Sequence, residues 1–233
     1  MRSMQPVAAV LAALLAVPAL GGDIKGAIKY SGTPPKMAPL PTNRDQKVCG
    51  QSIPNEAIEV SNGALRGVII TVEGSGAPKS APQTITVDQR DCRYHPHVQA
   101  APTGSTVDIV NSDPLLHNIH GYLGQETVFN LAMPLKGQKI PRRLPRSGVV
   151  HIKCDIHSWM NGWVIISDYP YALDGDDGSY TIKGLPAGTY TVKAWHEKLG
   201  EKTAQVTVPA TGDVTADFTF SGTGAPGAGR STP

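Results

Sequence analysis

The chain has 233 residues, a formal net charge of +2, and 19 acidic side chains against 21 basic ones. So balanced a charge gives no electrostatic basis for binding nucleic acid. The 25 glycines and 20 prolines are spread among short β-rich runs, and no long stretch repeats at the period of a helix. We therefore expect an all-β protein with many turns, long enough for one large or two small domains.

The first 22 residues have the pattern of an export signal. Arg2 supplies the positive charge, residues 7–20 form an apolar run, and Gly21 and Gly22 are small residues suited to cleavage. The apolar run is too short to span a bilayer. We expect residues 1–22 to be removed and the mature chain, without a transmembrane span, to be periplasmic or secreted.

Residues 23–83 are predicted to form an N-terminal β segment. Residues 23–30 alternate polar and apolar side chains, and two further strands flank Asn62-Gly63, which is a strong hairpin signal. Residues 68–72 are apolar enough to be a buried strand. We expect this segment to pack on the module that follows it.

Residues 84–168 contain four side chains that suit one transition-metal ion. Cys154, His157 and Met160 lie in a short loop between two apolar runs, and His117 follows a separate strand. A thiolate, two imidazoles and a weak thioether form trigonal copper sites with a long axial Met. Such a site passes single electrons, because neither oxidation state of the copper obtains its own preferred geometry. The pattern predicts one bound copper ion.

This ligand loop resembles that of the cupredoxins, the small blue copper proteins, and is most similar to the loop of amicyanin. The His-Asn-aliphatic-His run at residues 117–120 is similar to the segment around the family's first ligand. The resemblance implies a Greek-key β-sandwich with a type 1 copper site, in which Asn118 ties the ligand loops together and His120 is not a ligand. Electrons would then pass through the edge of His157 near the surface. Carried over by position, the ligands are His117, Cys154, His157 and Met160.

The three cysteines fit this interpretation. An odd number in a secreted protein suggests one free thiol, and Cys154 must stay unpaired to bind a metal as thiolate. Cys49 and Cys92 are then available to form a disulfide, which would stabilise the fold by roughly 4 kcal/mol in the chain-entropy model. Any other pairing would destroy the metal site.

Residues 169–220 are predicted to form a smaller second sandwich. Residues 177–192 are similar to the carboxypeptidase regulatory-like domains, which are transthyretin-like, and the same architecture occurs in carbohydrate-binding modules. The resemblance does not imply peptidase activity, because the metal-binding pairs of the peptidase domain are absent. Residues 221–233 are predicted to be a disordered tail. Within residues 177–192 of the second sandwich, four side chains are expected to alternate inward: Tyr180, Ile182, Tyr190 and Val192.

Besides His120, four histidines lie outside the ligand set. His95, His97 and His196 leave a second metal site open. We expect His97 to pack at the edge of the core, and His95 and His196 to be solvated. His151 lies on the opposite strand face from Cys154 and is expected to be exposed.

Three functions are compatible with these features. The first is an exported blue copper protein that exchanges electrons with a cytochrome or a dehydrogenase-like protein. Residues 136–146, rich in Lys and Arg, would either steer an acidic partner or form a solvated loop. The second is a copper-binding or storage protein. The third is a secreted binding module, such as one for carbohydrate, with the first sandwich as scaffold. The sequence shows no nucleophile–base pair, so we do not expect an enzyme.

Overall fold

The computed structural model describes residues 21–222, and the regular structure in it is almost entirely β, as predicted. Most of the predicted leader and tail, residues 1–20 and 223–233, lies outside the described residues. Gly21 and Gly22, assigned above to the leader, begin the first strand, and Ser221, assigned to the tail, ends the last strand. Within the described range, no helix is long and apolar enough to cross a membrane.

The elements follow one another in three groups along the chain. The first group is β1 (Gly21–Ser31), β2 (Leu40–Pro41), α1 (Gln46–Cys49), β3 (Ser52–Ile53), β4 (Val60–Ser61), β5 (Ala64–Leu65) and β6 (Ile69–Glu73). The second is β7 (Thr84–Arg90), β8 (Arg93–His95), β9 (Val98–Pro102), β10 (Thr106–Asn111), β11 (His117–Leu123), β12 (Glu126–Met133), β13 (Gln138–Arg143), β14 (Gly148–Lys153) and β15 (Asn161–Ser167). The third is β16 (Tyr171–Leu173), β17 (Ser179–Pro186), β18 (Gly188–His196), β19 (Gly200–Val208), β20 (Val214–Thr215) and β21 (Phe218–Ser221).

The second group forms a sandwich of its own, here called the central sandwich. One sheet has the order β13-β10-β7-β8, and the other has the order β12-β11-β14-β15-β9. Apolar side chains from both sheets, such as Ile109 on β10 and Ile152 on β14, belong to one buried cluster. Because alternate residues of each strand point to this cluster, the burial of β10 alternates strictly along its length.

The first and third groups together build the other sandwich, here called the flanking sandwich. In one sheet β1 pairs with β17, β20, β21 and β5, and in the other β6 lies between β16 and β18. Ile24 of β1 and Val72 of β6 are fully buried in the same cluster as Val192 of β18. Inward-facing Tyr180, Ile182, Tyr190 and Val192 are all buried, as their alternation predicts.

The predicted packing of residues 23–83 is therefore wrong for most of that segment. Its long strands complete the flanking sandwich, and residues 169–220 do not form that sandwich alone. The alternation of a strand fixes which face is buried but not which sheet buries it. The hairpin prediction is confirmed, since Asn62 and Gly63 connect β4 to β5 with φ angles of 51° and 81°. A type I′ turn requires such positive values at both of its central residues.

Residues 42–53 are the part of this segment that does reach the central sandwich. They contain α1 and β3, and β3 pairs with β2 just before them. Cys49 and Ile53 are buried in the apolar cluster of the central sandwich, and the predicted disulfide between Cys49 and Cys92 is present. This segment is consequently fixed beside the loops that carry the predicted metal ligands.

The two sandwiches meet at a small apolar junction. Ile69 from β6 packs with Val98 and Ile165 of the central sandwich, and Trp163 and Trp195 lie edge to face with ring centroids 5.4 Å apart. The chain thus leaves the flanking sandwich after β6, completes the central sandwich, and returns to finish the flanking one.

Candidate metal centre

Local strand pairing places three of the four predicted ligands in one hairpin loop. Strands β14 and β15 are antiparallel, and their last pair joins Lys153 to Asn161. Residues 154–160 are therefore the loop between them. His117 begins β11, which pairs with β14 through His120 and Lys153. The sheet thus brings His117 beside a loop that lies about 40 residues further along the chain.

The donor atoms of Cys154, His157 and His117 converge on one point. The two Nδ1 atoms of the imidazoles lie 3.1 Å apart, and Nδ1 of His157 lies 3.6 Å from Sγ of Cys154. All three donor atoms lie within 4.8 Å of one another. Both imidazoles are 0 % exposed and the thiol is 3 % exposed, so water is excluded from the cluster.

Met160 closes the loop beside these donors. Its N–H donates to the carbonyl of His157 at 2.9 Å, and its carbonyl accepts a hydrogen bond from the N–H of Cys154 at 3.3 Å. The side chain is 1 % exposed and belongs to the buried cluster that also contains Cys154. These contacts fix the backbone of Met160 at the end of the ligand loop, and its side chain lies in a dry environment.

A carboxylate holds the outer nitrogen of each imidazole. Nε2 of His117 lies 2.8 Å from Oδ2 of Asp113, and Nε2 of His157 lies 2.9 Å from Oδ2 of Asp45. A carboxylate only accepts hydrogen bonds, so each Nε2 carries the proton. An imidazole with its only proton on Nε2 presents the lone pair of Nδ1 to the cluster, which is the tautomer that a metal requires.

The hydrogen bonds also favour the charged form of the thiol. Burial raises the pKa of Cys154, but the contacts with the imidazoles of His117 and His157 and the hydrogen bonds from the N–H groups of Asn118 and His157 outweigh it and lower the pKa to about 6. Burial lowers the pKa of His117, yet the neighbouring Asp113 carboxylate and Cys154 sulfur leave that pKa raised. The site is thus built to hold a thiolate beside imidazole groups.

Asn118 joins the two ligand segments through hydrogen bonds. Its N–H donates to Sγ of Cys154 at 3.5 Å, and its Oδ1 accepts a hydrogen bond from the N–H of Asp155 at 2.6 Å. The N–H of His157 also donates to the same sulfur at 3.4 Å. These N–H groups orient the sulfur and stabilise its negative charge.

The cluster fits a single transition-metal ion. Nitrogen and sulfur donors bind such ions at about 2.0–2.3 Å, so two donors of one ion lie no more than about 4.6 Å apart. The separations of 3.1 and 3.6 Å lie within that limit. A thiolate with two imidazoles suits a transition metal such as copper and does not suit magnesium or calcium, and Met160 is the thioether in the same loop.

Two residues at the site were missed by the sequence analysis, and one expectation is corrected. Asp113 lies four residues before His117, and that spacing was a usable signal. Asp45 lies 112 residues from His157 and gave none. His157 was expected to present its edge near the surface, but the structure buries it completely, because Asp45 and its segment cover the outer nitrogen.

The other histidines do not form a second metal cluster within the described residues. Only two groups of three potential donors occur there, and the second uses Cys92, which is oxidised, with Asp113 and His117. His97 bonds through one nitrogen to Glu197 and through the other to the carbonyl of Asn161.

Two expectations of exposure are wrong. His196 is 2 % exposed, and its Nδ1 accepts hydrogen bonds from the N–H groups of Lys198 and Leu199. His151 is half-buried and stacks on Trp163 with ring centroids 3.9 Å apart. Both imidazoles lie where the ends of strands from the two sandwiches approach each other, which the strand pattern alone does not indicate.

The basic run at residues 136–146 is partly paired. Lys139 lies 2.5 Å from a carboxylate oxygen of Asp108 on the neighbouring strand, and Arg146 pairs with Glu126. Exposed pairs of this kind contribute little to stability but reduce the local positive charge. The run therefore presents a weaker positive patch than its composition suggests.

No protein-family model matches the chain. No curated protein matches it in sequence. Among solved structures, the chain is similar to a purple cupredoxin from Nitrosopumilus maritimus, with 26% identity, 35% of this chain and 98% of the other covered, and a TM-score of 0.31. It is also similar to a Cu(I) form of an amicyanin variant, with 23% identity, 42% and 98% coverage, and a TM-score of 0.33.

A third similar structure is the Cu-containing nitrite reductase from Thermus scotoductus, with 22% identity and a TM-score of 0.33. The match covers 41% of this chain but only 25% of that enzyme chain. These distant likenesses are to copper proteins.

Proposed function

We propose that this protein is an exported type 1 copper protein that carries single electrons between redox partners. His117, Cys154 and His157 would bind the copper ion, and Met160 would be the weak axial donor. The single observation that carries this proposal is the convergence of a buried thiol and two imidazole Nδ1 atoms within 4.8 Å. Copper would supply the one-electron redox couple.

The chain's own residues would prepare the site for that ion. Cys154 would be held as thiolate by the surrounding N–H groups, and the hydrogen bond from each outer nitrogen to its carboxylate would orient the ring and leave Nδ1 available to the ion. Because these groups are already ordered and dry, little would have to move when an electron arrives. We infer no turnover chemistry for the site.

Export to an oxidising compartment is supported by the disulfide between Cys49 and Cys92. In a periplasm or outside the cell, the partner would be a cytochrome or a dehydrogenase-like protein. Those exposed Lys and Arg side chains of residues 136–146 that have no nearby acid would favour an acidic partner surface.

A copper-storage role is the second candidate, and the burial of both imidazoles favours it. A ligand edge that is 0 % exposed and covered by Asp45 would slow the approach of a redox partner. Electron self-exchange in the copper-loaded protein separates the two roles. Fast exchange and a reversible potential support the electron carrier, whereas sluggish exchange supports storage.

The test of copper binding is the titration of metal-free protein with Cu(II). We expect intense visible absorption at one equivalent of copper, because a thiolate bound to Cu(II) gives a strong charge-transfer band. Cys154→Ser should abolish the band. His120→Ala is the matched control and should retain it, since His120 stacks on Tyr122 and is in no donor cluster. A protein that stays colourless would refute the proposal. It would favour the third function, a secreted binding module, for example one that binds carbohydrate.

A further inference from the structure

Asp45 covers His157, and contacts within residues 42–53 hold Asp45 in that position. The carboxylate of Asp45 is 48% exposed on its outer side, while the imidazole that it bonds is completely buried. The carboxylate thus lies between the outer nitrogen of the imidazole and solvent. The contact joins the segment before the central sandwich to the ligand loop near that sandwich's end.

Several backbone contacts hold Asp45 in this position. Its φ of 51° lies in the left-handed region, and its carbonyl accepts hydrogen bonds from the N–H groups of Val48 and Cys49 at 2.9 and 3.0 Å. Thr42 closes the segment, because its N–H donates to the carbonyl of Gln51 and its hydroxyl to the carbonyl of Gly50. The segment is therefore a closed loop rather than a free strand end.

The disulfide connects this loop to the other imidazole. Cys49 ends α1 and is bonded to Cys92. The N–H of Cys92 donates at 2.9 Å to Oδ2 of Asp113, and the same oxygen lies 2.8 Å from Nε2 of His117. The disulfide thus bridges the two segments whose carboxylates orient the two imidazoles. It is the covalent link between the two outer supports of the site.

We infer that residues 42–53 form a disulfide-held clamp on the metal centre and that Asp45 is the positioning residue for His157. This inference rests on the proposed copper function. The clamp keeps the proton of His157 on Nε2, leaves Nδ1 free for the metal, and closes the imidazole edge to solvent and to exogenous ligands. Without Asp45, the acceptors that remain close to His157 both face Nδ1: Nδ1 of His117 at 3.1 Å and Sγ of Cys154 at 3.6 Å. The proton would then occupy the nitrogen that the metal needs.

The first experiment determines the tautomer of His157 in metal-free protein by two-bond ¹H–¹⁵N correlation. We expect the Nε2–H form in the wild type and in Asp45→Asn, since the amide oxygen still accepts a hydrogen bond. Asp45→Ala should shift the population toward the Nδ1–H form. Asp91→Asn is the control, because it removes an exposed carboxylate beside the same disulfide without contacting His157.

The second experiment measures the release of copper from the loaded protein to a chelator. Loss of a group that orients a metal ligand typically weakens metal binding on the order of 10- to 100-fold. We expect release to accelerate by that order in Asp45→Ala, by less in Asp45→Asn, and not in Asp91→Asn. The double variant Cys49→Ala/Cys92→Ala should also accelerate it. Adding Asp45→Ala to that double variant should change the rate of copper release little further, because both changes act through one clamp.

The two proposals fail in different ways. If no variant binds copper, the proposed function is wrong, yet the tautomer experiment still tests the clamp because it needs no metal. If copper binds and Asp45→Ala keeps both the Nε2–H tautomer and the wild-type release rate, the clamp is wrong while the copper site stands. Should the disulfide variant fail to fold, the three single variants still decide the question.

Discussion

His196 should make the stability of the protein depend on pH in a measurable way. It ends β18, is 2 % exposed, and is held in the neutral form by two N–H groups that donate to Nδ1. Burial lowers its pKa to about 4, with Glu197 opposing the shift and His97 and Lys198 adding to it. In the unfolded chain the pKa returns to about 6.5.

The sign of the effect follows from proton binding. Between pH 6.5 and pH 4 the unfolded state binds a proton at this position and the folded state does not, so stability falls as the pH falls. From pH 7.5 to pH 4.5 the linkage relation gives a loss of about 2.5 kcal/mol for a shift of this size. His151 has a pKa lowered to about 4 for a similar reason, mainly burial, so His196 carries only part of the total dependence.

The assay is guanidinium unfolding of metal-free protein at pH 7.5 and pH 4.5, comparing wild type with His196→Asn. The asparagine oxygen can still accept the N–H of Lys198, as in an Asx turn, but it does not titrate. We expect the variant to lose about 2 kcal/mol less than the wild type over this interval. His97 contributes with the opposite sign, because its pKa is raised by Glu197, and the comparison cancels its contribution. Equal losses in the two proteins would refute the reasoning.

Two further predictions concern the flanking sandwich. Ile24→Ala should lower the free energy of unfolding by about 2–5 kcal/mol, because the side chain is fully buried among strands from both ends of the chain; chemical denaturation measures this, and unchanged copper absorption would show that the site is intact. Gly178→Ala should cost about 2 kcal/mol or more, since φ is +78° and a Cβ would lie 2.7 Å from the carbonyl oxygen of Ile28. Gly184→Ala, with φ of +67° and open space around it, should cost only about 1 kcal/mol.

Each of these predictions has a result that would contradict it. A loss below about 1 kcal/mol in Ile24→Ala would mean that β1 is not part of the folded core. Equal losses in the two glycine variants would mean that the close approach of β1 to the turn at Gly178 has no energetic consequence. Both measurements use the same denaturation assay, so the variants are directly comparable.

The sequence by itself determined the local chemistry of the site. Cys154, His157 and Met160 lie in one loop because the strands on either side are adjacent in the chain and pair directly. The alternation within β17 and β18 likewise identified their inward faces, and the Asn62-Gly63 pair specified a tight turn through its positive φ angles. In each case the deciding interactions join residues close in sequence, whose geometry follows from backbone sterics and side-chain period.

Only the tertiary structure decided which distant segments meet. Nothing local to β1 selects strands β17 and β21 at the other end of the chain, and nothing local to Asp45 indicates that it covers His157. Such pairings depend on which apolar faces exclude the most water together and on where the disulfide fixes the chain. The potential metal donors could therefore be identified from the sequence. The segment that covers them could be identified only from the packing of the whole fold.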